Sequence, residues 1–595
     1  MKEILILISI GPVQDYISSA RKLRDLWFGS HLLSESGKVV AKSLYEQGCE
    51  LIFPFIESSA DLEENSDLIV PNKILASIKN HSNPNDIIQQ ARAAWEQSQV
   101  QFALTALEKI KSIRKIKIDE DLYHAQIGDS GEFFAAWVEL DKNYLEGKNK
   151  VEKILAGRKN LRGFSASSWD GTGLLKSSLD GGRESVFRTK KIDEIIGLLK
   201  KNEHLDTLGC VKRFYPLASK QSKHFDDLTD IALVPYLECI RSNKTWTELL
   251  GKYEEYFIDA GNGLRNRDTR EHGSFGLKIQ SDLLFVESKD ELRDYLGDSS
   301  HSAMKILQEL TGNANAGKPN KYACIMVGDG DDMGLTLAKI ESIEGHQLFS
   351  KCLSTFARDV MRLIDESGGS VIYAGGDDVM AYLPLDKAID HANQIRLLFS
   401  AQMNQLFSEL KLSGDKPTFS IGLSIAHHSA PISLALDTAR RAEKCAKEVA
   451  GKNALSIIQS KRSGHDIVIS GKWDSVDGVP GIEERFQTMI ELYHPKVNAL
   501  PHTLGYQLRR AEIESGGSQL NEIEMDFASE EGELIPMNAA AVNVLRIFYH
   551  KEYSALIIKL LKGRKKIKSL SNELIVARQI ADLVHSSQRQ NMRGE

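Results

Sequence analysis

Two short stretches of this 595-residue sequence gather carboxylates beside apolar runs. They are Gly328-Asp329-Gly330-Asp331-Asp332-Met333-Gly334 and Gly375-Gly376-Asp377-Asp378. Carboxylates brought together from two such turns suit attack of a ribose hydroxyl on a nucleoside triphosphate. That reaction uses two divalent ions about 3.5–4 Å apart, which activate the hydroxyl and neutralise charge on the α-phosphate and the leaving pyrophosphate. Magnesium takes oxygen ligands and keeps some of its waters, so a few carboxylates plus substrate phosphates suffice. Paired glycines permit a tight turn and a close approach of nucleotide to backbone. Asp-Gly and Gly-Gly-Asp are also common turn sequences, and one copy alone reads as a solvated hairpin tip. The chemical reading rests on two copies at the ends of strands that one fold sets side by side. Asp331 and Asp332 have a second reading as caps of the helix that follows. Lys447 and Lys452, in AEKCAKEVAGKN, lie on and just beyond a helix where phosphates fit; each taken alone reads as a surface lysine.

The elements that position these residues follow from periodicity. YACIMVG (322–328) is a short apolar strand, and Phe349, Leu353, Phe356, Val360 and Leu363 then form one helical stripe. SVIYA and VMAYLPL are strands separated by Gly-Gly-Asp-Asp, a hairpin signal. A helix (386–410), the strand TFSIGLSIA (418–426), a helix (433–449) and the strand ALSII complete the segment. The order is β-α-β-β-α-β with an appended αβ unit, the palm arrangement of many nucleotide cyclases and polymerases. The N-terminus opens in a related way. EILILISI reads as a strand, and Val13, Ile17, Ala20, Leu23 and Trp27 form a long helical stripe. A second strand, CELIFPF, covers 49–55. Residues 78–160 read as mostly helical, 226–315 as helical with one strand candidate, SDLLFVE, and the chain after about 466 as mainly helical. The expected class is α/β (α+β): two ferredoxin-like palms at 1–160 and 320–465, a Gly/Ser-rich insert at 161–230, a helical linker domain at 231–319 and a C-terminal helical bundle at 466–595.

Length demands several cores. Hydrophobic residues at 42% and charged residues at 26% describe an ordinary globular composition. A net charge of −7 argues against a generally basic nucleic-acid binder while leaving room for local basic grooves. The six cysteines contain no CxxC pair, so no disulfide framework or zinc ribbon is readable. The opening apolar run is too short to span a bilayer and lacks the features of a secretory signal, so the expected location is cytoplasmic.

GDGDDMG, YAGGDDVMAYLP, SIGLSIAHH and AEKCAKEVAGKNAL resemble the cyclase palm of the large subunit of type III CRISPR effector complexes, Cmr (III-B) branch. ISIGPVQDYISSARKLRDLW and IVPNKILA resemble that branch's first palm. GGDD alone is moderately specific, because diguanylate cyclases carry the related GGDEF; together with GPVQ and RKLRDLW it is a strong signal. The resemblance implies a palm, switched on by target RNA, that converts ATP into cyclic oligoadenylate messengers. Asp329, Asp377 and Asp378 would then be the carboxylates for two Mg2+ or Mn2+ ions, and Gly330 would offer a backbone carbonyl. Lys447 and Lys452 would contact triphosphate, with Asp331, Asp332, Gly334, Gly375 and Gly376 completing the nucleotide site. Ser420 would lie beneath it as packing or as a nucleotide contact. The implied partners are the other subunits of the complex, CRISPR RNA and target RNA, with no membrane.

Two features depart from the family pattern. Many relatives begin with an HD nuclease domain, whereas this sequence starts at the first palm and His465-Asp466 stands alone, so DNA cleavage is not expected. Relatives often carry a four-cysteine ribbon; here Ser177 and Asp180 stand at cysteine positions in KSSLDGGRE and Cys210 is isolated, so no zinc is expected. The basic runs KIKSIRKIK (109–117) and KLLKGRKKIK (559–568) offer an RNA or subunit surface, or a solvated helix face. Alternatives of other kinds are the same palm joining ATP to S-adenosylmethionine, which needs identical metal carboxylates, and a silent palm in a purely structural subunit. A free-standing diguanylate cyclase would not need the first-palm motifs.

Overall fold

The computed structural model describes residues 3–161, 175–219, 227–260, 277–312, 317–514 and 567–585, less a few isolated positions, together with 527–528, 534–535 and 560. The N-terminal unit runs β1 (Glu3–Gly11), α1 (Val13–Ser18), α2 (Leu23–Glu46), β2 (Glu50–Phe53), β3 (Lys73–Lys79), α3 (Pro84–Lys111), α4 (Glu120–Ala125), β4 (Glu132–Leu140) and α5 (Tyr144–Asn160). Its sheet has the order β2-β3-β1-β4, antiparallel throughout, with Ile6 opposite both Ala76 and Trp137. Residues 4–10 of β1 are all buried, which is why EILILISI reads as a continuous apolar run rather than an alternating one.

Two expectations for this half are corrected and one is refined. The stripe from Val13 to Trp27 is not one helix but α1 and α2, separated around Ser19. The buried Lys212 ammonium takes the carbonyls of Tyr16 and Ser19, which a continuous helix would need for its own ladder. The stretch 78–160 is mostly helical, as expected, and also contains β4, which pairs along the whole of β1. SDLLFVE is not a strand: Ser281–Phe285 forms a 3₁₀ turn. Leu283 and Leu284 sink into a helical core, and the Tyr253 hydroxyl donates to the Leu283 carbonyl.

Between the sheets lie α6 (Thr207–Ala218), α7 (Leu228–Arg241), α8 (Lys244–Asp259), α9 (Lys289–Leu296) and α10 (Ser300–Leu310). On α6, Arg213 is fully buried and forms a bidentate pair with Asp25 of α2 at 2.6 and 2.5 Å, while also reaching Glu203. In the insert, Ser177 is buried and donates to Asp206, and Asp180 accepts from the Gly182 amide at 2.8 Å.

The second palm comprises β5 (Tyr322–Gly330), α11 (Met333–Ala338), α12 (Ile343–Glu366), β6 (Ser370–Gly375), β7 (Asp378–Leu383), α13 (Ala388–Glu409), β8 (Phe419–His427), α14 (Ile432–Glu448), β9 (Ala454–Gln459) and β10 (Ile467–Lys472). The sheet order is β10-β9-β8-β5-β7-β6, in which β5 pairs antiparallel with β7 and β8, and β8 pairs parallel with β9. The ferredoxin-like core and appended αβ unit are as the periodicity indicates. β10 extends the sheet past 466, where helix was expected; its burial alternates residue by residue, the mark of a strand with one face open. Helices α15 (Ile482–Leu492), α16 (Leu504–Glu514) and α17 (Ile567–Val584) then pack against the same large core.

The two faces of this sheet have different coverings. Cys324, Met326, Phe419, Ile421 and Leu423 face α12 and α13, where Phe356 and Phe399 meet Phe419 edge-on or tilted. Ala323, Ile325, Tyr382 and Ala426 face the other way, against α14, α7 and the first palm's Ile17, Ala20 and Leu26. Alternation along β5 and β7 carries Asp329 and Asp378 onto this second face.

Candidate active site

Strand β5 ends in the first acidic stretch, and the β6–β7 hairpin ends beside it. Gly375 pairs with Asp378 across a two-residue turn, and Gly376 has φ +66°, a left-handed conformation that glycine adopts without a Cβ penalty. Gly328 lies opposite Val379, so Asp329 and Asp378 occupy the next step of the same strand pair. The Gly330 amide donates to the Asp377 carbonyl at 3.3 Å. A Cβ at Gly330 would lie 2.9 Å from the Asp377 Cβ, so glycine is what lets the hairpin tip come this close. The tip is further held by the half-buried Tyr373 ring, whose hydroxyl donates to the Gly375 carbonyl at 3.1 Å.

The cations arrive from α14 and the turn after it. The helix can press on the sheet because Gly422 of β8 has no side chain; a Cβ there would fall 2.0 Å from the Glu443 backbone nitrogen. Lys447 pairs with Asp329 and, at 3.1 Å, with Glu443 one turn earlier. Lys452 pairs with Asp332 at 2.6 Å. Asp332 itself sits at the N-cap of α11 with φ +58°, but its side chain makes no capping bond and turns to the lysine instead. Gly334, in the first turn of α11, faces open space.

Asp331 and Ser420 lie beneath the surface. Asp331 is 1% exposed, and one carboxylate oxygen accepts from Thr418 Oγ1 at 2.7 Å, Ser420 Oγ at 2.8 Å and the Asn453 amide at 3.2 Å. The Ser420 hydroxyl is thereby used inside the protein, and Ser420 is fully buried.

Charge at this end is out of balance. Burial pushes the Asp377 carboxyl up to about 6, with the neighbouring Asp378 adding to the effect. Asp378 is raised in the same direction by loss of solvent, and Glu443 by burial and then by Asp378 and Asp331. Lys447 is lowered, first by burial and then by Lys452. Carboxylates crowded this way favour a bound cation, because a like charge and desolvation both oppose ionisation until a positive charge arrives. The donors are hard oxygens, as Mg2+ and Mn2+ require. Among the described residues no group of three or more His, Cys, Asp or Glu side chains forms a preset cage for a metal. The set therefore fits ions that complete their shells with water and substrate phosphate, and the Lys447 ammonium already shows that the Asp329 carboxylate accepts a positive partner.

Sequence reasoning missed two contributors. Glu443 lies four residues before Lys447 on one helix face, a spacing readable in AEKCAKE. Thr418 holds Asp331 from the residue before β8, and no local pattern marks it.

A cleft of about 210 Å³ opens on the other side of the hairpin tip, between the two palms. It runs from Phe53–Phe55 of the first palm to Ser350–Arg358 on α12 and touches Gly376. Lys351 and Arg358 face Glu57, Asp61 and Asp67 across it. The basic run at 559–568 falls mostly outside the described residues. No described helix is long and apolar enough to cross a membrane.

Comparison with known proteins agrees with this architecture. Residues 321–456 match the model for the second palm domain of Cas10/Cmr2, and residues 5–103 match that for the N-terminal part of the CRISPR-associated protein Cmr2. The CRISPR system Cmr subunit Cmr2 of Pyrococcus furiosus is 25% identical over 570 residues, covering 79% of this chain and 63% of the relative. The corresponding subunit of Saccharolobus solfataricus is 24% identical over 204 residues, covering 31% of this chain and 18% of the relative. The chain thus spans less than two thirds of the length of these curated relatives. In fold it is similar to a chain of the type III-B Cmr-beta complex in the apo state, with a TM-score of 0.63 at 13% identity, covering 97% of this chain and 81% of that one. The Cmr-beta complex bound to cognate target RNA gives a TM-score of 0.60 at 14% identity, covering 97% and 83%.

Proposed function

We propose that this chain is a member of the Cas10/Cmr2 family and that its second palm is a nucleotidyl transferase of a type III CRISPR effector complex, making cyclic oligoadenylate from ATP. The observation that carries the reading is the meeting of Asp329 with the Asp377-Asp378 hairpin on the face where α14 brings Lys447 and its following turn brings Lys452.

Each group has a task in that reaction. Two Mg2+ or Mn2+ ions, held by Asp329, Asp377 and Asp378, would supply charge neutralisation at the α-phosphate and lower the cost of deprotonating the attacking 3′-hydroxyl. Lys447 and Lys452 would leave their carboxylate partners to receive the triphosphate, whose negative charge exceeds that of a single aspartate. Glu443 would keep Lys447 on the correct side of α14 while Asp329 is otherwise engaged. Gly376, where a Cβ would meet open space, would let a phosphate lie against bare backbone, while Gly330 and Gly375 serve the close packing of the hairpin tip. Pyrophosphate is the leaving group, and the bond formed joins the acceptor 3′-oxygen to the α-phosphorus.

The partners on this reading are the other subunits of the complex, CRISPR RNA and target RNA, supported by likeness of fold to the Cmr-beta assembly. The test is mass spectrometry of the products that the RNA-bound assembly makes from ATP, with and without S-adenosylmethionine. Cyclic oligoadenylates are expected from the native chain and none from a D377A/D378A variant in an intact assembly. Undiminished product from that variant would remove the assignment, and a product containing S-adenosylmethionine would change the acceptor while keeping the site.

A further inference from the structure

Asp331 stands apart from the other acidic residues of the site. It is 1% exposed and its carboxylate is spent inside the protein, on groups from two separate segments. Its amide donates to the Thr418 carbonyl at 2.7 Å, and one carboxylate oxygen takes the hydroxyls of Thr418 and Ser420 at 2.7 and 2.8 Å. The same oxygen takes the Asn453 backbone amide at 3.2 Å. The last of these bonds is the informative one. Asn453 closes the turn after α14 in which Gly451, Lys452 and Asn453 have φ values of +71°, +49° and +45°. Glycine adopts that conformation freely; for Lys452 and Asn453 it is unfavourable and must be held by surrounding contacts. The turn is tied by Lys452 N to Val449 O at 2.8 Å, by Trp473 N to Asn453 O at 3.2 Å, and by Asn453 Nδ2 to Asp474 at 3.0 Å. The Asp331 bond ties the backbone of this turn to the end of β5, where the Lys452 side chain also reaches Asp332 at 2.6 Å.

We infer that Asp331 is a positioning residue: it locks the left-handed 451–453 turn to the end of β5 and β8, and so sets where the Lys452 ammonium stands. The inference rests on the nucleotidyl-transfer reading, because it takes Lys452 as a triphosphate contact. It gives Asp331 a different role from Asp329, Asp377 and Asp378. The required chemistry is acceptance of three donors by one oxygen, while the other carboxylate oxygen is buried without a hydrogen-bond partner. An asparagine can keep the accepting oxygen, whereas alanine cannot.

The experiment is a double-mutant cycle in the full assembly, with KM and kcat for ATP and, separately, affinity for α,β-methylene-ATP in the presence of Mg2+. Asp331→Ala is expected to raise KM and weaken analogue binding about tenfold while lowering kcat less. Asp331→Asn is expected to return both to within about threefold of the native chain. On a Lys452→Met background, Asp331→Ala is expected to add little, because residues acting through one another are not additive. Ser420→Ala and Thr418→Val, which leave the carboxylate in place, should shift KM in the same direction by a few fold and serve if Asp331→Ala fails to fold. Full additivity of Asp331→Ala with Lys452→Met would overturn the inference, as would loss of kcat at unchanged KM without rescue by asparagine. The binding arm separates this from the underlying reading: a native assembly that binds the analogue but makes no product from ATP would refute nucleotidyl transfer while still reporting on Asp331.

Discussion

Asp377→Asn should make the metal-free protein more stable and the enzyme inactive. Burial and Asp378 raise the Asp377 carboxyl from 3.8 to about 6, roughly two pH units. At about 1.4 kcal/mol per unit, the charged form costs at most about 3 kcal/mol in the folded chain at pH 7. Solvent reaches the half-buried side chain and screens this to about 1–2 kcal/mol. The sign follows from proton counts. Between pH 4 and 6 the folded chain keeps a proton that the unfolded chain has released, so stability falls as pH rises through this window. The penalty is fully present at pH 7 and absent below pH 4. For a cooperative unit of palm size, about 1–2 kcal/mol corresponds to a rise of about 2–8 °C in Tm. The assay is thermal unfolding in EDTA at pH 7 and near pH 5, repeated with 10 mM Mg2+. Asp377→Asn is expected to unfold higher than the native chain in EDTA at pH 7, with a smaller difference near pH 5. Mg2+ is expected to raise the native Tm and to leave the variant nearly unmoved. A variant that unfolds lower in EDTA, or that gains as much from Mg2+ as the native chain, would refute the picture of carboxylates crowded for a cation.

Other perturbations test separate parts of the argument. Gly422→Ala places a methyl group 2.0 Å from the Glu443 backbone, so α14 must move and stability should drop by about 1–3 kcal/mol, read as a lowered Tm together with weaker ATP use. Gly330→Ala should push the hairpin tip away from β5; its expected signature is loss of kcat with little change in Tm. Asp25→Ala leaves the fully buried Arg213 without its bidentate partner, and such breakage costs about 3–5 kcal/mol, measurable by thermal unfolding of the N-terminal half. Lys447→Met should raise the ATP KM while preserving the fold, because Lys447 is half-exposed and its partners are surface-reaching carboxylates.

The acidic turns were legible because each interrupts an apolar run with glycine and aspartate, and the β-α-β-β-α-β order fixes which runs become neighbours. The pairing of β5 with β7 then brings Asp329 to the hairpin without any further information. What escaped depends on distance in sequence. Thr418 and Asn453 approach Asp331 from 87 and 122 residues away, and only the folded sheet assembles them. β4 was lost because EFFAAWVEL carries partial burial on both faces and shows no clean alternation. β10 is the opposite case: Ile467 and Ile469 alternate with exposed neighbours, a signal short enough to be overlooked before a helical region. The break between α1 and α2 could not be read at all, since its cause is a lysine almost two hundred residues downstream.

The sheet face that carries Asp329 and Asp378 gives one more consequence. Ile325 and Tyr382, which precede Asp329 on β5 and follow Asp378 on β7, are packed against Ile17, Ala20 and Leu26 of the first palm. Because packed side chains resist compression, a displacement of the N-terminal helices would reach β5 and β7 by direct contact. The amino-terminal half is thus the wall against which the strands bearing the acidic cluster are braced.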